Sequence, residues 1–483
     1  MKIKYPIQLK DFQREGVRII EQHDGNVLLA DDMRLGKTVQ TLSYIRRHRT
    51  ETPIVVVCPA IAKWVWQEQA HDNFGIPTVV LEGAKVDKQL LRDNHFFIIN
   101  YEILHHWVFW LKRIRPKTVI LDECHYAKNA GAKRTKNARR LAKGWIHIDD
   151  GDDYRKYMKT IPDRKHAVVK QSLTQRAKHI IAISGTPLTN RPIELFPVLN
   201  MLWPRVFNDY NSYGMEYCDA GVVKGSISFK GARNLDKLHG KLKKLGMIRR
   251  LKRDVIKNYK EPAMNVVPID MKSPAAYNRK HKVYLRALRK SQEAKLKRLS
   301  NFIELKRLAA EEKLPAVLEW VDHFLSSTDD KIVLFAHHQN VIRTLKKHYG
   351  DQAVVVDGSV SHKKRIDAQK AFRADKKVRI FIGNIQACGM AVSLKVADTV
   401  AFVELPFTPG DLRQCEDRVF DITKNNQLFV YYLVARGTIE EIVCRLLQNK
   451  AQVLSQILDG KGKGVQISIY SQLEQMIKGN HHG

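Results

Sequence analysis

Two short polar stretches follow apolar runs in this sequence, and together their residue types suit phosphate chemistry. In Leu28-Leu29-Ala30-Asp31-Asp32-Met33-Arg34-Leu35-Gly36-Lys37-Thr38, Val27 to Ala30 reads as a buried strand and Thr38 to Ile45 as the start of a helix. A strand, a tight loop and a helix with Gly-Lys-Thr at the junction can cradle a triphosphate. Helix N-terminal N–H groups face the phosphates, Lys37 reaches the β/γ oxygens, and the Thr38 hydroxyl completes a Mg²⁺ shell. Met33, Arg34, Leu35 and Gly36 are the expected walls of that cradle. Further on, Thr118 to Leu121 runs straight into Asp122-Glu123-Cys124-His125. Adjacent carboxylates ending a buried strand are costly unless a cation or substrate uses them. Open α/β sheets place their ligand sites at such strand ends. Beside a phosphate loop, Asp122 would hold Mg²⁺, and Glu123 would orient and deprotonate the attacking water. His125 has two readings: coupling to a later strand, or satisfying a backbone carbonyl.

These residues need a sheet to position them. Ile54 to Pro59, Phe96 to Tyr101 and Ile180 to Ile183 are further β-branched or aromatic runs, continuous as in parallel strands buried on both faces. The last leads into Ser184-Gly185-Thr186-Pro187-Leu188-Thr189-Asn190, whose small hydroxyl residues could sense a γ-phosphate. Gln13, on the amphipathic stretch Leu9 to Val17, could read an adenine edge through its paired donor and acceptor or sit on a solvated helix face. Trp64 and Trp66 read as packing. A second series, Lys331 to His337, Ala353 to Gly358, Val378 to Gly383 and Thr399 to Val403, predicts another parallel sheet. The fold class is therefore α/β, with two lobes that nucleotide hydrolysis could open and close.

Length and charge narrow the partner. A chain of 483 residues exceeds one core. Its 83 Lys+Arg against 50 Asp+Glu give a net charge of +33 spread through folded-looking sequence, which favours a nucleic-acid partner over a membrane surface. Ser273 to Lys313 concentrates cations, including Arg279, Lys280 and Lys282, where phosphate contacts compete with a merely solvated face. The polar stretch between Asn129 and Lys178 reads as a surface insertion, and the acidic run Asp149 to Asp153 within it as simply solvated. The six cysteines form no CxxC pair, so neither a zinc module nor disulfides are expected. With no signal-peptide core and no spanning apolar run, a soluble, cytoplasmic protein is expected.

The order Gly36-Lys37-Thr38, Asp122-Glu123-Cys124-His125, Ser184 to Asn190 resembles superfamily 2 helicases of the Swi2/Snf2 class. Met247-Ile248-Arg249-Arg250-Leu251-Lys252-Arg253-Asp254-Val255 is similar to the class's basic helix, and Gly231-Ala232-Arg233-Asn234-Leu235 to its annealing-helicase, fork-remodelling branch. The resemblance implies two RecA-like lobes with a helical insertion. Lobe 1 would span 1–205, a basic insertion 206–312, lobe 2 with a C-terminal brace helix 313–459, and a linker with a short terminal helix 460–483. ATP and Mg²⁺ would be cofactors. DNA, duplex or branched, would be the partner of a monomeric ATP-dependent translocase that remodels it. A motor displacing protein from DNA, and a non-hydrolysing ATP-gated clamp, are the alternatives. The resemblance assigns Gln414 to the nucleotide and Arg418 to an arginine finger. His125, Ser184, Gly185 and Thr186 would couple nucleotide to motion. Lys63, Asn100, Tyr101, Arg249, Arg250, Arg253, Gly358 and Gly389 would meet DNA. Three positions depart from the class: Arg34 stands where glycine is usual, Asp421 where a second arginine is usual, and Lys424 where glutamine is usual. The absence of chromodomain, bromodomain or zinc modules in this sequence suggests a bacterial or phage enzyme.

Overall fold

The computed structural model describes residues 8–48, 51–144, 166–188, 191–223, 226–229, 231–289, 295–388, 393–421, 424, 426–441, 443–444, 447 and 456–460. The chain divides into two compact units. One comprises Met1–Val255 with Val453–Gly462, and the other is built on Ile256–Gln452.

The first unit holds seven parallel strands: β1 (Asn26–Leu29), β2 (Ile54–Cys58), β3 (Val79–Val80), β4 (Phe96–Asn100), β5 (Thr118–Asp122), β6 (His179–Ile183) and, after a hairpin of β7 (Ala220–Val223) and β8 (Ser226–Phe229), β9 (Met247–Ile248). Their order is β3-β4-β2-β5-β6-β1-β9. The apolar runs are continuous because both sheet faces are covered. Val55 and Val57 enter one core, and Ile54 and Val56 the other. The helices that matter for the site are α1 (Asp11–Gln22), α2 (Lys37–Arg47) and α3 (Ala62–Phe74). Strands β5, β6 and β1 are neighbours, so their C-terminal ends deliver Asp122-Glu123, Ser184 and the 30–36 loop side by side.

The stretch Met247 to Val255, expected as one basic helix, instead opens as edge strand β9. Leu28 pairs with Met247 and Leu29 with Ile248, and only Lys252–Val255 is helical. Backbone bonds then continue beyond the strand: Ala30 N–H donates to Ile248 O (2.7 Å) and Asp32 N–H to Arg250 O (3.0 Å). Segment 249–250 thus runs beside the 30–32 loop.

The second unit holds β10 (Ala263–Ile269), β11 (Ile332–Ala336), β12 (Ala353–Val356), β13 (Ile380–Asn384), β14 (Thr399–Phe402) and β15 (Phe429–Ala435) in a parallel sheet ordered β10-β15-β14-β11-β13-β12. Its helices include α4 (Lys295–Ser327), α5 (Gln339–Tyr349), α6 (His362–Ala374) and α7 (Pro409–Val419). Residues on the two faces of β11 again feed two cores. Strands β10 and β15 were not foreseen from the sequence. β10 lies within the stretch expected as helical insertion, and its Pro268 suits an edge strand.

Candidate nucleotide site

The 30–36 loop leaves β1 and turns into α2 through two left-handed residues, Arg34 (φ 67°) and Gly36 (φ 75°). Gly36 takes this conformation without cost, and any Cβ there would sit 2.4 Å from Gln13 Nε2. Arg34 has a Cβ, so its left-handed turn carries about 1–2 kcal/mol of strain. Gln13 lies against this loop: its amide donates to Leu35 O (3.2 Å), and its carbonyl accepts from Lys10 N–H (3.0 Å). Lys37 Nζ donates to Asp31 O (2.9 Å) and Asp32 O (3.0 Å), folding its ammonium over the loop. Thr38 stands half-buried in the first turn of α2. A Cβ on Gly185 would sit 2.5 Å from Met33 Cγ and 3.3 Å from Lys37 Nζ, so the loop after β6 closes on the same lysine.

At the end of β5, Asp122 Oδ2 accepts from Trp66 Nε1 (2.8 Å) and Oδ1 from Glu123 N–H (3.0 Å). Removal from water, then the Glu123 charge, push its pKa up to about 6. Glu123 is also left-handed (φ 47°), which turns its side chain toward β6. Its Oε2 accepts from Ser184 Oγ (2.8 Å) and lies 3.2 Å from His125 Nδ1, which is itself 3.1 Å from Ser184 Oγ. Thr186 N–H donates to the same hydroxyl (3.1 Å). Loss of hydration would raise the Glu123 pKa, but the His125 bond and charge, Lys37 and Ser184 together lower it to about 2. Of the two readings of His125, the geometry has the coupling to a later strand. Thr189 and Asn190 lie outside the described residues.

The donor set of the Thr38 hydroxyl and Asp122 carboxylate is all oxygen, which suits a hard divalent cation such as Mg²⁺. The nearby cradle pairs a lysine ammonium with a helix N-terminus, as an anionic phosphate requires. The residues fit both groups.

Several residues expected at DNA are instead internal. Arg250 Nε donates to Asp31 Oδ1 (2.9 Å) and Nη2 to Asp31 Oδ2 (2.5 Å), and Nη2 also reaches Gln40 Oε1 (2.7 Å). Gln40 Nε2 in turn donates to Asp31 Oδ2 (3.0 Å). Arg249 donates to Asp32 Oδ1 (2.9 Å), Asp459 Oδ1 (2.8 Å) and Ala30 O (2.8 Å), with its side chain 5% exposed. Successive side chains of an extended chain point to opposite sides, so of the adjacent aspartates Arg250 takes Asp31 and Arg249 takes Asp32. Lys63 is buried between Leu81 O and Glu82. Asn100 is buried and donates to Glu102 (2.7 Å), and Tyr101 is buried with its hydroxyl on Asp122 O (3.0 Å). The side chains of these five residues are engaged within the first unit. Arg253 and, in the second unit, Gly358 are exposed, while Gly389 lies outside the described residues. Sequence reading missed Trp66 as a partner of Asp122. A buried indole N–H needs an acceptor, and that was the available signal.

In the second unit, α7 is capped by Thr408, whose Oγ1 accepts from Asp411 N–H (3.2 Å), and it carries Gln414 and a half-buried Arg418. Leu394 N–H donates to Arg418 O (2.8 Å), tying the 393–396 segment to that helix. Asp421 pairs with Lys395 (3.1 Å). The pair lines a cavity of about 570 Å³ with Gln369, Lys370, Arg373 and Ser393.

A phosphate loop, an acid pair and a serine-histidine relay on adjacent strands of one parallel sheet define a P-loop-type nucleotide site. The chain belongs to the SNF2-related domain family, which it matches over residues 12–144 and 159–314, and the helicase conserved C-terminal domain follows over 312–422. It is 29% identical to the SWI/SNF-related matrix-associated actin-dependent regulator of chromatin subfamily A-like protein 1 homolog of Caenorhabditis elegans, over 93% of this chain and 62% of that protein. It is 27% identical to the DNA annealing helicase and endonuclease ZRANB3 of Homo sapiens, over 95% of this chain and 41% of that one. The chain thus spans between two fifths and two thirds of these relatives' length. Both are animal proteins, so the expected bacterial or phage host finds no support in them. The Sulfolobus solfataricus SWI2/SNF2 ATPase core in complex with dsDNA is 20% identical over 99% of this chain and 98% of that one, with a TM-score of 0.42, too low to argue from.

Proposed function

We propose that the chain is an ATP-driven DNA translocase that remodels branched DNA. The observation that carries this reading is the convergence of Lys37, Asp122-Glu123 and the His125–Ser184 relay on three neighbouring strand ends in a chain of the SNF2-related family. Lys37 binds the β/γ-phosphates, and Glu123, kept ionised by His125 and Ser184, accepts a hydrogen bond from the attacking water. Thr38 and Asp122 hold Mg²⁺, which when bound neutralises phosphate charge. Ser184 and Thr186 share one hydrogen-bonded unit with Glu123, so a change at the γ-phosphate passes into the loop after β6. The +33 charge supports a polyanionic partner read mainly through its backbone. The name "DNA annealing helicase" borne by a relative supports strand annealing as part of the reaction.

One observation favours the clamp reading: Lys395 and Asp421 neutralise each other where the class usually offers a second arginine. Steady-state ATPase without DNA, with linear duplex and with a four-way junction tests both. Strong stimulation by the junction is expected. ATP-dependent DNA binding without turnover would replace the motor with the clamp.

A further inference from the structure

Residues 456–460 form a short helical end that belongs to the first unit, although Val443, Cys444 and Leu447 just before it are buried in the core of the second. Its seat is specific. Ile457 and Leu458 are buried in the first unit's core, and Ile457 O accepts from His239 Nδ1 (2.9 Å). Gly460, left-handed at φ 84°, lies so close over His239 that a Cβ would meet Nε2 at 2.6 Å. The segment then offers Asp459 to Arg249 (2.8 Å).

That guanidinium is the junction of the nucleotide loop. The nitrogen that holds Asp32 Oδ1 also donates to Ala30 O, and it lies 3.4 Å from Gly185 O. Asp32 O accepts from Lys37 Nζ, and Gly185 packs against Met33 and the same lysine. From Asp459 to Lys37 there are thus two routes of hydrogen-bonded or packed atoms, both through Arg249, one by way of Asp32 and one by way of Gly185. Among the described residues Arg250, the neighbouring arginine, is engaged instead by Asp31, Gln40 and Phe12.

We propose that Asp459 is a positioning residue for the phosphate loop. By fixing one edge of the Arg249 guanidinium, it sets the places of Asp32 and Gly185 around Lys37, so nucleotide affinity depends on whether the 456–460 segment is seated. The inference rests on the nucleotide-site reading above.

The test is Asp459→Asn in the full chain, with Asp459→Glu as the conservative variant. The KM for ATP should rise about fivefold to tenfold in Asp459→Asn, a typical coupling between sites, with kcat nearly kept and Asp459→Glu restoring much of the affinity. Amide hydrogen exchange of residues 30–38 and 184–186 should quicken in Asp459→Asn without any nucleotide present. Combining Asp459→Asn with Arg249→Lys should add little to either single change. A lowered melting temperature with unchanged KM and unchanged exchange in those loops would overturn the proposal, leaving Asp459 a mere anchor. If the wild-type chain bound no ATP, the nucleotide reading would fail, and the exchange of residues 30–38 would still decide the link.

Discussion

Asp31-Asp32 and Asp122-Glu123 are both adjacent acidic pairs at the C-terminal ends of parallel strands, two strands apart in one sheet. Their surroundings make them opposites. Asp31 is fully buried yet saturated by the Arg250 fork and Gln40, and Asp32 is paired with Arg249. Among the described residues Asp122 accepts from Trp66 Nε1 and the Glu123 N–H, and burial with the neighbouring Glu123 carboxylate outweighs these bonds and the Lys37 charge, raising its pKa to about 6. A buried acid with a guanidinium partner is scaffold, whereas an acid kept from such a partner is available for a cation. Residue type does not separate the two cases, but partner chemistry does.

The sharpest way to break this contrast is turnover. Glu123→Gln should cut ATPase by about 10²–10⁴-fold, the usual worth of a positioned general base, while nucleotide binding persists. Near wild-type turnover would remove the acid pair from the chemistry. On the scaffold side, Arg250→Ala strands the buried Asp31 charge and should cost about 3–5 kcal/mol in denaturant unfolding. Asp122→Asn, by contrast, should leave the melting temperature of the nucleotide-free protein level or raise it. Equal destabilisation by the two changes would erase the distinction.

The second unit supplies a third case. Glu404 is fully buried, and it accepts from the backbone N–H groups of His337 and His338 (both 2.8 Å) and from His338 Nδ1 (2.5 Å). Burial opposes ionisation, but the His338 bond and charge and these N–H groups hold its pKa down to about 2. An acid lowered from its ordinary 4.5 contributes stability that is complete above about pH 4.5 and is lost as pH falls toward 2. A shift of that size corresponds to about 3 kcal/mol at most. Glu404→Gln should flatten this acid limb in pH-dependent unfolding, and a persistent limb would assign it to other carboxylates.

Smaller effects sharpen the picture. Trp66→Phe removes the N–H that orients Asp122 and should weaken Mg²⁺-dependent activity about tenfold, as loss of an outer-shell partner does, with secondary structure kept. Arg34→Gly removes the strain of a left-handed residue with a Cβ and should stabilise the protein by about 1 kcal/mol. A loss of stability would mean that the contacts of the Arg34 side chain outweigh the strain.

The sequence by itself determined both sheets' central strands, the Gly36-Lys37-Thr38 loop and the Asp122-Glu123 pair. These are signals carried by neighbours in the chain: continuous apolar runs for strands buried on two faces, and polar residues immediately following them. It left Gln13 between two roles and missed β10 and β15, which also pair far along the chain. Tertiary structure alone decided the fate of the charges. The local run Arg249-Arg250 looks like a phosphate-binding surface. Only the pairing of β9 with β1 brings it beside Asp31 and Asp32, more than two hundred residues away in sequence, and only the return of the chain at Asp459 completes the Arg249 site. Whether a charge is a surface contact or an internal tie depends on which opposite charge the fold brings within hydrogen-bond reach. That distance is set by strand order, not by composition or local pattern.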